Sequence, residues 1–153
     1  MSPENIAAAK RQLPILFPQL QNFQITSGED STYNCLAWAA EDTTRWWDHL
    51  NFWPRTVPRE WTLAAYVSVY ESLGYEQCNS AVLETGFVKL AIFVDRSGLP
   101  THISRQLPDG LWTSKLGAMW DITHQLEELG GFEGQGYGLL AVILRRAVKL
   151  PAS

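Results

Sequence analysis

The chain has 153 residues, 46% of them hydrophobic, with a formal net charge of −4; that is enough for one domain (1–153) with a sizeable core. The acidic balance and scattered basic residues argue against a general electrostatic affinity for nucleic acid, and two cysteines are too few for a disulfide framework. The longest apolar run, YGLLAVILRR (137–146), is too short to cross a bilayer, and the N-terminus lacks a secretory pattern. A cytoplasmic protein without membrane contact is therefore the expectation.

In chain order, Ser2-Pro3-Glu4 reads as a helix start: a hydroxyl cap, a proline in the first turn and an acid matching the helix dipole. The helix is expected to stop before Pro14, because proline pushes its predecessor out of the helical region. LPILFPQLQNFQI then reads as an irregular apolar connection and TSGED as a turn. Small and apolar residues support a helix from about Asn34 to Asp48, broken by HLNFWPRTVP. Thr56, Val57 and Pro58 open another, with Trp61, Ala65, Tyr66, Val69, Tyr70 and Leu73 on one stripe and Gly74 closing it.

The second half changes character. FVKLAIFVD, THISRQL and LWTSKLG read as strands separated by RSGLP and PDG turns. Asp121 is placed as the cap of a short helix over ITHQLEEL, ended by Gly130-Gly131, with His124 in its first turn in a capping or surface role. GGFEGQGYG precedes a strand rather than opening a helix, so it reads as a loop, either a plain connection or a mobile flap. YGLLAVILRR closes the chain as a strand apolar enough to be central. Helices first and a mainly antiparallel sheet second predict an α+β fold.

A thiol attacks as thiolate, which a helix N-terminus or a neighbouring imidazolium favours. Cys35, preceded by polar Ser31 and Thr32 and followed by Ala37, Ala39 and Ala40, is the candidate nucleophile; its bland alternative is a small core residue. His102, just after a turn at a strand start, is the candidate base, with Ser114, Thr113 or Asp121 as the group that orients it. Cys78 reads as inert, and a Cys35–Cys78 disulfide is disfavoured in a reducing compartment. No pair of His or Cys residues has zinc-like spacing and no glycine loop cradles phosphate, so neither metal nor cofactor is expected. RWWDHLNFWPR is either core between helices or, through Trp46, Trp47 and Trp53 with Arg45 and Arg55, the wall of a groove beside Cys35 for a peptide or sugar-like chain, with Asn34 a further substrate contact.

YNCLAWAAEDTTRWW (33–47), PTHISRQLPDGLWTSKLG (100–117), DITH (121–124) and the closing YGLLAVILRR resemble the recurring segments of a family of short, uncharacterised bacterial proteins. More remotely, Tyr33-Asn34-Cys35 followed by a strand histidine is similar to papain-like cysteine hydrolases, including cell-wall endopeptidases. In those, an aromatic-Asp-Cys sequence opens the nucleophile helix, where this chain has Asn34. That resemblance implies N-terminal helices on a mainly antiparallel papain-like sheet. It also implies thiol hydrolysis or acyl transfer on an amide: a peptide, a peptidoglycan stem or a glutamine side chain. The alternative is a non-catalytic protein-binding module on the same scaffold. Oligomeric state is not legible.

Overall fold

The computed structural model describes residues 2–132 and 135–148. Helix α1 (Pro3–Leu16) begins where expected, with the Ser2 hydroxyl accepting from the Asn5 N–H at 3.1 Å. It does not stop before Pro14. The proline sits in the last turn, where the carbonyl it leaves unpaired belongs to exposed Lys10, and buried Leu13 holds the turn in place. Strand β1 (Gln24–Ser27) then occupies part of what reads as irregular chain.

Helix α2 (Cys35–Ala39) is much shorter than its apolar run suggests. Glu41 adopts φ 62°, the left-handed region, and ends it. Asp42 then folds the chain back by accepting from the Thr44 N–H and the Trp47 indole N–H, both at 2.8 Å. Helix α3 (Leu63–Glu71) is capped by Thr62 rather than opened at Thr56.

Strands β2 (Glu76–Cys78), β3 (Phe87–Val94), β4 (Pro100–Gln106), β5 (Trp112–Lys115), β6 (Asp121–His124) and β7 (Leu139–Ala147) complete a sheet. Among the described residues it is seven-stranded and antiparallel throughout, in the order β1-β6-β5-β4-β3-β7-β2. The α+β expectation with a mainly antiparallel sheet holds. DITH is a strand, not the first turn of a helix, and only Leu126–Leu129 coil, as a 3₁₀ turn. Strand β7 lies one position from the edge, not at the centre.

Alternation along the strands divides the sheet into two faces. One carries Leu90, Ile92, Ile103 and Leu144 and packs under α2 and α3. The other carries Ala91, Phe93, Trp112 and Ile122 and is covered by α1, the 3₁₀ turn and Tyr137. The glycine-rich loop is a tight connection at its described ends: Gly131 and Gly138 bridge each other, and a Cβ on Gly138 (φ +94°) would collide with the Val94 carbonyl. The part of the flap reading that falls on residues 133–134 lies outside the described residues. No helix among the described residues is long and apolar enough to cross a membrane.

Candidate functional site

Cys35 opens α2 as the sequence implies, but its surroundings are those of a core residue. Asn34 caps the helix: its side-chain oxygen accepts from the Ala37 N–H (3.2 Å) and the Trp47 N–H (3.1 Å), and its amide donates to the Trp47 carbonyl (2.7 Å). With both ends engaged and only 5% of its surface exposed, Asn34 is a fastener rather than a substrate contact. Burial pushes the Cys35 thiol up to about 11, overcoming the backbone N–H groups of Ile103, Leu36 and Cys35 and the charge of Lys115, which act the other way. Cys35 and Cys78 are both free thiols.

His102 does not meet Cys35. The thiol sits in the cluster of Ile103, and the alternation of β4 turns the preceding residue to the opposite face. There the imidazole stacks flat on Tyr137, with ring centroids 4.1 Å apart, and lies beside its cross-strand neighbour Phe93. Among the described residues no hydrogen bond joins Cys35 to His102.

The structure does bring His102 to Ser114, and adds a residue that the sequence reading misplaced. Ser114 Oγ lies 2.9 Å from His102 Nε2, 2.7 Å from His124 Nε2 and 2.8 Å from Ser104 Oγ. All four residues are buried. His124 Nδ1 lies 2.7 Å from the Gln125 carbonyl, which only accepts, so Nδ1 carries the proton. Burial holds His124 down to about 4 and His102 well below its ordinary value, so both rings are neutral near pH 7. His124 Nε2 therefore accepts, and takes the single Ser114 proton. His102 Nε2–H and the Ser104 hydroxyl must then both donate to Ser114 Oγ. The two imidazoles are thus opposite tautomers, and the bare nitrogen of His102, Nδ1, is the one left without a partner. The period-two pattern of Asp121 to His124 was the signal that could have placed His124 beside Ser114.

Asp121, an expected helix cap and possible orienting group for His102, faces the Cys35 side instead. It accepts from the Ser27 hydroxyl at 2.6 Å and the Tyr33 hydroxyl at 2.7 Å, tying β6 to β1 and to the approach of α2. Burial, with this carboxylate's help, pushes Tyr33 up to about 12. Lys115, paired with Asp121 across the strands and fully buried, donates to the Asp30 and Met119 carbonyls.

The tryptophan run is core, not groove wall. Trp47 and Trp53 are buried, packed on Phe52 (4.8 Å) and Tyr66 (5.8 Å), while Trp46 is half-buried.

An open concavity lies elsewhere, past the C-terminal ends of α2 and α3. A groove of about 1110 Å³ runs over the ends of β3, β4 and β7, with Leu73, Leu83, Phe87, Val88, Leu107 and Val148 among its apolar walls. Arg105 and Arg146 also line it. Arg105 is level with Leu90, and Arg146 with Val88, so the two guanidinium groups flank β3 on the helix-covered face. Arg105 lies over the Trp38 ring at 5.1 Å and Arg146 over the Tyr75 ring at 4.6 Å. Between them stands Glu41, 3.5 Å from one and 3.6 Å from the other. Nothing in composition or spacing pointed to this group, which is assembled from β4, β7 and the turns that follow α2 and α3. Among the described residues no three His, Cys, Asp or Glu side chains stand close enough to hold a metal ion.

Fold and site together define an α+β protein on one antiparallel sheet, with a sealed polar network on one face and an arginine-lined open groove on the other. The chain belongs to the family described as Domain of unknown function (DUF7689), whose model matches residues 24–145 and so takes in β1 through most of β7. No curated protein and no solved structure matches it.

Proposed function

We propose that this chain is a binding module that seats an extended apolar segment of a peptide or protein partner in the groove between Leu73, Phe87 and Leu107. The observation that carries the reading is the groove itself: at about 1110 Å³ it stands at the upper end of small-ligand pocket volumes, and it is open and mainly apolar, with Glu41, Arg105 and Arg146 together at one end. The buried thiol of Cys35, raised to about 11 and turned away from His102, lacks the base that nucleophilic attack needs. The test is calorimetry of the full chain against a positional-scanning set of acetylated apolar hexapeptides. Saturable binding that Leu107→Asp abolishes, without loss of fold, supports the reading. Binding unchanged by Leu107→Asp, or no binding by any member, overturns it.

A second reading keeps thiol hydrolysis or acyl transfer on a papain-like scaffold. Its support is the backbone N–H groups of Cys35, Leu36 and Ile103 that favour charge on the Cys35 sulfur. It requires Cys35→Ala to abolish cleavage of an amide substrate while the fold is retained.

A further inference from the structure

Glu41, Tyr75, Arg105 and Arg146 form a charged cluster whose hydrogen-bonding capacity is not used up. Each oxygen of the Glu41 carboxylate faces a different guanidinium, at 3.5 and 3.6 Å. Charge-assisted hydrogen bonds close to about 2.7–2.9 Å, so both pairs stand slack. Arg105 Nε is buried without a partner. So is the hydroxyl of Tyr75, a residue only 4% exposed whose ring lies under Arg146. Arg146 spends one N–H on the Leu73 carbonyl at 3.1 Å. Two positive charges therefore face one carboxylate that is itself half exposed, on a residue held at φ 62°. That conformation closes α2, with the Glu41 N–H donating to the Trp38 carbonyl at 3.0 Å and the Asp42 N–H to the Ala37 carbonyl at 2.9 Å.

The cluster stands at the end of the groove that α2 and α3 close, because Glu41 follows α2 and Leu73-Gly74 follow α3. Leu83, Leu107, Pro108 and Val148 line the part beyond the strand ends, and Leu83 and Val148 are exposed.

From this juxtaposition we infer that Arg105 and Arg146 bind the C-terminal carboxylate of an apolar peptide, whose side chains lie along the outer walls of the groove. Glu41 is the built-in stand-in for that carboxylate and swings toward solvent when the ligand arrives. The planar fork of each arginine suits a carboxylate, and Glu41 already occupies the position between them. The inference rests on the binding-module reading and adds the chemical class of the ligand's end.

The experiment compares the same apolar hexapeptides as free acids and as C-terminal amides, by calorimetry on the full chain at low salt. The free acids are expected to bind at least about tenfold more tightly than the amides. Arg146→Gln is expected to erase most of that preference, and Glu41→Gln to widen it severalfold. Because Arg146 also caps Leu73, the Glu41→Gln arm keeps the claim testable if Arg146→Gln fails to fold. Equal binding of acids and amides overturns the carboxylate site and leaves the groove reading standing. A preference for acids that survives Arg146→Gln in a folded chain also overturns it. Binding by neither series overturns both.

Discussion

Replacing Ser114 with alanine removes the one hydroxyl that joins His102, His124 and Ser104. Three hydrogen bonds are lost, each worth about 0.5–1.5 kcal/mol net. The loss is compounded because two donors, His102 Nε2–H and the Ser104 hydroxyl, and one acceptor, His124 Nε2, stay buried with no replacement. Leaving the His102 donor buried and unpaired adds about 1–3 kcal/mol. The sum is about 2.5–7.5 kcal/mol, a large fraction of the stability of a domain this size. Urea unfolding followed by tryptophan fluorescence reads it as a fall in midpoint with an unchanged slope. Ser104→Ala removes a single bond and is expected to cost about 1 kcal/mol, which separates the network from simple loss of a buried hydroxyl. Nitrogen-15 spectra of the wild-type imidazoles provide the sharper check, with His102 protonated on Nε2 and His124 on Nδ1. A loss below about 0.5 kcal/mol, or identical tautomers for the two rings, would refute the proton assignment.

Acid should weaken the fold through the same residues. Both folded-state values are lowered by burial, so the unfolded chain binds protons first as pH falls below about 6.5. Stability is then full above that point and declines toward pH 4, by about 3 kcal/mol from His124 alone, as urea midpoints across this range will show. Iodoacetamide at pH 8 should label Cys78 much faster than Cys35 in the native chain, read by mass spectrometry of the peptides, and faster labelling of Cys35 would restore the thiol reading. Asn34→Ala should lower stability by about 2–3 kcal/mol in the same urea assay, because it removes a helix cap and strands the Trp47 backbone groups together. Gly138→Ala should destabilise still more or prevent folding, since φ +94° and the Val94 carbonyl leave no room for a Cβ; a thermal midpoint equal to wild type would contradict this.

Much of the sheet was legible because its strands are long or sharply bounded: β3, β4 and β5 follow from apolar or alternating runs between glycine- and proline-containing turns. The α1 start was equally readable from Ser2, Pro3 and Glu4. The errors share a physical cause, that tertiary contacts override a local pattern. Asp42 and the left-handed Glu41 cut α2 short although small residues continue. DITH resembles a capped helix start until Asp121 finds Tyr33 and Ser27, which no local rule reveals. The pairing of His102 with Ser114 was visible across the PDG hairpin. Its separation from Cys35 was not, because chain order says nothing about which face of β4 a side chain takes. The arginine cluster was invisible for a related reason: Glu41, Tyr75, Arg105 and Arg146 are distant in sequence and meet only through register.

The most direct test is a methyl NMR titration of the leucine-labelled chain with apolar hexapeptide free acids. The binding reading requires saturable shifts centred on Leu73, Leu83 and Leu107, with the methyl groups of Leu36 beside Cys35 left unmoved. Shifts centred on Leu36, or peptides cleaved in the tube with loss of cleavage in Cys35→Ala, would contradict it and return the site to the thiol.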